Sequence, residues 1–132
     1  MLSTATLAAI AEARFEDANA LLSANRYDGA VYLCGYALEI ALKARIVKKL
    51  KWEGFPQTDK EFRPYRSFRS HDLDVLLHLS GRESEIKATF LSEWSVVKSW
   101  NPELRYTPPG KANFAKANDI IKSTRKLIAE LL

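Results

Sequence analysis

The stretch from Tyr27 to Lys51, YDGAVYLCGYALEIALKARIVKKLK, decides how the chain reads. Its first half is apolar on nearly every side, through Val31, Leu33, Cys34, Ala37, Leu38, Ile40, Ala41 and Leu42. Its second half turns basic at Lys43, Arg45, Lys48, Lys49 and Lys51. A helix that is hydrophobic all round has to be covered on several faces, so this segment reads as the central helix of a bundle. Ala30, Cys34, Ala37, Ala41 and Ala44 recur every three to four positions and let neighbouring helices approach closely. Gly29 and Gly35 each cost about 1 kcal/mol in a helix relative to alanine. That cost points to a close contact at each, with another helix or with a second subunit.

On the amino-terminal side, Leu7, Ala11, Phe15, Ala18 and Leu22 repeat with helical spacing and predict a helix over 3–24. The connection to the central helix is very short, which makes the two antiparallel neighbours. Asn25 reads as the cap of the second helix, with Asp28 in its electropositive first turn.

On the carboxyl side, residues 52–70 break the pattern at Pro56 and Pro64 and read as the longest loop. An aromatic-arginine pair falls there every three residues: Phe62-Arg63, Tyr65-Arg66, Phe68-Arg69. Ser70 reads as the cap of a short helix, with Asp72 in its first turn, Leu73, Leu76 and Leu77 as its apolar face, and Gly81 at its left-handed end. A helix over about 83–99 follows on Ile86, Phe90, Trp94 and Val97. Asn101-Pro102 and Pro108-Pro109-Gly110 bracket a loop, and a last helix over about 111–131 carries Phe114, Ala117, Ile121, Thr124, Ile128 and Leu131 on one face. No segment alternates with period two for long enough to be a strand. The fold expected is all-α, an up-and-down four-helix bundle with one additional short helix, in a single domain over residues 1–132.

Length and composition agree with that. The 132 residues suffice for one core, and 47% hydrophobic with 27% charged residues is the balance of a soluble globular chain. No apolar run approaches the ~18 residues of a membrane span, and the first residues lack the basic leader of a signal peptide. Cys34 is the sole cysteine, which excludes an internal disulfide, suits a reducing compartment and reads as a packing residue. A cytoplasmic location is expected. The net charge of +4 is local: residues 43–71 hold nine Lys and Arg against three Asp and Glu, whereas the rest of the chain is slightly acidic. A concentrated basic excess suggests an anionic partner.

The chemistry-bearing candidates are few. Phosphate loops, CxxC, HExxH and GxSxG are absent. His71 and His78 stand seven apart, two turns of one helix, and suggest no metal site; no cofactor is expected. Arg63, Arg66 and Arg69 with Phe62, Tyr65 and Phe68 have the chemistry to grip phosphates and stack unpaired bases. The competing reading has the aromatics plugging the bundle end while the arginines face water. Arg66 and His71, separated by four residues, could cleave RNA without metal, with imidazole as acid or base and guanidinium on the phosphorane charge. Alternatively His71 and Asp72 only fix the helix start. Glu39 and Lys43 have the i,i+4 spacing of a structural bridge. Arg105-Tyr106 sits in the proline-bracketed loop, facing a site or simply packing.

Three pieces resemble the HEPN family of small helical bundles. RYDGAVYLCGYALEIALKA at 26–44 is similar to the family's second-helix signature, SHDLDVLL at 70–77 to its His-Asp-Leu helix start, and Arg105-Tyr106 to a landmark before its last helix. The resemblance implies a four- or five-helix bundle that forms a homodimer and pairs with a minimal nucleotidyltransferase in toxin–antitoxin systems. It also implies, for many members, a metal-independent RNase with an Arg-x(4–6)-His motif near the last long helix. Here Arg105 is followed by no histidine, since 110–112 are Gly, Lys and Ala; the literal match is Arg66 with His71. The leading expectation is a module that binds nucleotide, RNA or a nucleotidyltransferase partner through Lys48, Lys49, Arg63, Arg69, Tyr65, Phe68, Arg105 and Tyr106. A metal-independent RNase toxin using Arg66 and His71, and a non-catalytic dimeric scaffold, are the alternatives.

Overall fold

The computed structural model describes residues 1–132 and is all-α. Ser3 caps α1 (Thr4–Ser23) by accepting from the Thr6 amide. α1 ends in a left-handed turn at Asn25 (φ 63°), where the Asn25 and Arg26 amides donate back to Leu22 and Leu21. Asn25 therefore closes the first helix rather than capping the second. Asparagine tolerates positive φ, and α2 (Tyr27–Leu50) starts from Arg26 without a side-chain cap. Lys51, again left-handed, ends α2.

α2 is central, as its all-round hydrophobicity predicts. Ala37, Leu38, Ala41, Leu42, Ile46 and Val47 are almost fully buried, and α1, α4 and α7 pack on it. Both glycine contacts lie within the chain. A Cβ at Gly29 would stand 3.2 Å from Leu21 of α1, and one at Gly35 would stand 2.1 Å from the Trp100 indole. The glycines thus admit α1 and Trp100.

The expected loop after α2 is more ordered than its prolines suggest. Leu2 and Phe55 exchange both backbone hydrogen bonds, 2.7 and 3.0 Å, which ties the amino terminus beneath this segment. Thr58 caps a one-turn helix, α3 (Asp59–Phe62), and residues 63–68 continue as a 3₁₀ turn with Pro64 in its first positions, where a missing N–H costs nothing. α4 (Leu73–Leu79) is capped by Asp72, which accepts from the amides of Asp74 and Val75, not by Ser70; Ser70 instead accepts from the Asp72 amide. His71 consequently lies before the helix, and the two histidines do not share a helical face. The expected helix over 83–99 is two pieces, α5 (Glu83–Thr89) and α6 (Leu91–Val97), separated at Phe90 where the backbone leaves helical geometry (φ −123°, ψ 34°). The last helix, α7 (Phe114–Leu131), begins after Asn113, whose side chain accepts from Lys116, and not at 111. The core runs from Leu7 through α2 to Leu131.

Candidate functional site

A polar stripe runs along the otherwise apolar α2. Tyr32, Tyr36, Glu39 and Lys43 are spaced i, i+4, i+7 and i+11, so they share one face. Glu39 is 2% exposed, and a carboxylate so buried needs partners. It has two: Lys43 Nζ at 3.1 Å on one oxygen and His71 Nδ1 at 2.8 Å on the other. The Lys43 ammonium also sits 5.3 Å from the Phe55 ring centroid. The Glu39–Lys43 bridge expected from spacing is present, and the histidine completes it. The His71 side chain remains 60% exposed, so the buried carboxylate orients one ring nitrogen while the imidazole stays accessible to solvent.

Above Glu39 the stripe continues into aromatic packing. Tyr32, Tyr36 and Trp100 meet edge to face, at 5.2 and 4.9 Å between successive centroids. Burial pushes the Tyr36 phenol up from its ordinary value, helped by Tyr32 and by the Glu39 charge, while Arg105 opposes the shift. Arg105 lies in the 3₁₀ turn over 102–106, donates to the Pro102 carbonyl at 3.2 Å and stacks 4.7 Å from the centroid of Tyr106, which is 72% exposed. Tyr36 therefore feels both Glu39, the partner of His71, and Arg105. Tyr32 and Tyr36 escaped the sequence reading, although their spacing from Glu39 and Lys43 is visible in it.

The aromatic-arginine segment separates by residue type. Tyr65 and Phe68 pack on Trp52, at 4.7 and 4.9 Å between centroids, and Phe62 packs on Phe55. Phe62 is buried, while Tyr65 and Phe68 are half-buried. Arg63, Arg66 and Arg69 are exposed and, with Asp59 and Phe62, border an open hollow of about 370 Å³. Asp59 pairs with Arg69, whose guanidinium also lies 5.2 Å from the Phe62 centroid; Arg63 and Arg66 carry no ion pair. The reason is the three-residue period of the 3₁₀ turn: aromatic side chains every third residue fall on one side of α3 and the following turn, and the intervening cations fall outside.

No hydrogen bond joins Arg66 to His71: Arg66 borders the hollow, whereas His71 is held by Glu39. Lys48 and Lys49 are exposed at the end of α2, with the Lys49 stem lying over Gly81. The expected binding residues thus fall in three places: the end of α2, the 62–69 segment, where Arg63 and Arg69 border the hollow but Tyr65 and Phe68 pack on Trp52 instead, and the turn carrying Arg105 and Tyr106. His78 is apart from all three, within 3.5 Å of Glu83. The structure contains no cluster of three metal-ligating side chains, and no helix is long and apolar enough to cross a membrane.

Neither a curated protein nor a solved structure matches the chain. The family model of the HEPN domain does, over residues 5–58. The matched region contains α1, all of α2 with its Glu39 stripe, and the beginning of the basic segment. The match bears out the resemblance read on residues 26–44: the amino-terminal part of this chain is similar to the HEPN domain.

Proposed function

We propose that this chain, as one domain over residues 1–132, binds the phosphates of RNA or of a nucleotide on the cationic hollow at 63–69. In this reading it acts in the cytoplasm as a homodimer, beside a minimal nucleotidyltransferase in a toxin–antitoxin pair. One observation carries it: three guanidiniums border the hollow against one carboxylate, and two of them have no acidic partner. Exposed guanidinium groups without an acidic partner are suited to bidentate contact with phosphate. Binding of this kind weakens with salt, by about 0.7 in the log–log slope for each single-strand phosphate contact. Fluorescence anisotropy with a single-stranded RNA across a salt series tests it. Arg63→Ala and Arg66→Ala should each lower affinity and flatten the slope. Affinity that ignores salt, or that survives the double substitution, would remove the reading.

A second reading, metal-independent RNA cleavage with Arg66 and His71, draws on the His71–Glu39 contact. A carboxylate on Nδ1 fixes the imidazole's orientation, as an acid–base group requires. Incubation with total RNA in EDTA separates the two readings. Cleavage lost in both His71→Ala and Arg66→Ala supports catalysis. Intact RNA with wild type leaves binding alone.

A further inference from the structure

The hollow at 63–69 contains an anion of the protein's own. Asp59, in the first turn of α3, pairs with Arg69, which follows the 3₁₀ turn directly. Both residues border the hollow, and both side chains are exposed. The Asp59 carboxylate therefore occupies the position on Arg69 that a bound phosphate needs. An exposed ion pair contributes little, so an incoming anion of sufficient charge can open it.

Arg69 does not depend on Asp59 alone. Its guanidinium also lies 5.2 Å from the centroid of Phe62, which is buried and packs on Phe55. A cation over a fixed ring keeps that support when the carboxylate leaves. Arg63 and Arg66 differ from it, because neither has an acidic partner to exchange.

The hollow thus presents two kinds of cation. Arg63 and Arg66 are open to any phosphate, whereas Arg69 is open only to an anion that displaces Asp59. An internal phosphodiester carries one negative charge, as the carboxylate does, and gains little from the exchange. A phosphomonoester carries about −1.5 to −2 at pH 7 and three acceptor oxygens. It competes better for a guanidinium fork than a carboxylate does.

We infer that the hollow selects a phosphomonoester, at a strand end or on a free nucleotide, over internal phosphodiesters, with Asp59 setting the selection and Arg69 as the group it releases. The inference rests on the phosphate-binding reading above and narrows it to one class of phosphate.

The probes are single-stranded RNAs of one sequence, labelled internally: one with hydroxyl ends, one with a 5′-phosphate, one with a 3′-phosphate, and one with hydroxyl ends but two nucleotides longer. The longer strand carries the same added charge as a terminal phosphate, so the general field of the protein cancels from their ratio. Fluorescence anisotropy at fixed salt reads the affinities. We expect a phosphorylated strand to bind roughly three- to tenfold more tightly than the longer one, the range of one added hydrogen-bonded contact. Arg69→Ala should bring that ratio to one. Asp59→Asn should bring it close to one by the opposite route, tightening the hydroxyl-ended strands, while Asp59→Glu retains it. The two phosphorylated strands tell which end is read, and competition by adenosine monophosphate but not adenosine tells a free nucleotide from a strand end. A ratio of one with wild type, or a ratio that Arg69→Ala leaves unchanged, overturns the inference. If the strands then still lose affinity in Arg63→Ala and Arg66→Ala, phosphate binding stands and only the selection falls; if no strand binds, both fall.

Discussion

His71 Nδ1 lies 2.8 Å from Oε1 of Glu39, and the two residues differ sharply in burial: the histidine side chain is 60% exposed, the glutamate side chain 3%. The pair is therefore unequal in what its loss would do. Truncating Glu39 leaves Lys43, only 17% exposed, facing the interior without its counter-charge. Glu39→Ala should cost about 3–5 kcal/mol, the range for breaking a buried ion pair. His71→Ala removes a largely solvated group and should cost less than about 1 kcal/mol. Urea unfolding of both variants measures the asymmetry. Equal losses would mean that the imidazole itself is structural, and its availability for chemistry would go with that.

Gly29 and Gly35 occupy one helix yet should respond in opposite directions to alanine. At Gly29 the added methyl meets the tip of Leu21 at 3.2 Å, a flexible neighbour. The gain in helix propensity, up to about 1 kcal/mol, should dominate. At Gly35 it would stand 2.1 Å from the Trp100 ring, which must leave its place between Tyr36 and the α2 backbone. Overpacking of that kind costs about 1–3 kcal/mol. Thermal unfolding should show Gly29→Ala at or above wild type and Gly35→Ala below it, the latter with altered tryptophan emission.

Asp28 gives the stability a pH dependence with a definite sign. The amides of Gly110 and Ala112 hold its carboxyl below the usual aspartate value in the folded chain. A depressed folded value means stabilisation that is fully present above the ordinary aspartate value and fades as pH falls through the lowered one. Asp28→Asn should therefore have a lower Tm than wild type at pH 7, and the gap should close in strong acid. A gap that stays constant as pH falls from 7 through the acid range would show that the loop is held by something other than this charge.

The all-α class was legible because α2 is apolar around its whole circumference, and no strand pattern competes with it. The Glu39–Lys43 bridge was legible from i,i+4 spacing alone. The third partner was not: His71 is 32 residues away from Glu39, and only the packing of α4 against α2 brings its preceding residue to that carboxylate. The caps went astray for a local reason. Asn25 and Ser70 are both good cap residues, but Asn25 is drawn into the left-handed close of α1, and Asp72, two residues past Ser70, reaches two amides at once. The break at Phe90 had no glycine or proline to announce it; a continuous apolar stripe from Ile86 to Val97 survives across two short helices.

Cys34 supplies a probe of how tightly α2 is enclosed. It has no exposed surface, lies 3.9 Å from the Ile120 carbonyl, and burial pushes its thiol up to about 11. At pH 8 roughly one molecule in a thousand would carry the reactive thiolate, against about a quarter for a free cysteine. Iodoacetamide labelling of the native protein should therefore run more than about a hundredfold slower than in urea, and it should accelerate in Gly35→Ala, where the displaced Trp100 loosens the contact between α2 and α7. Fast labelling of the native wild type would place the opening of α2 from α7 among the chain's low-energy local motions, and the enclosure of the central helix would have to be reconsidered.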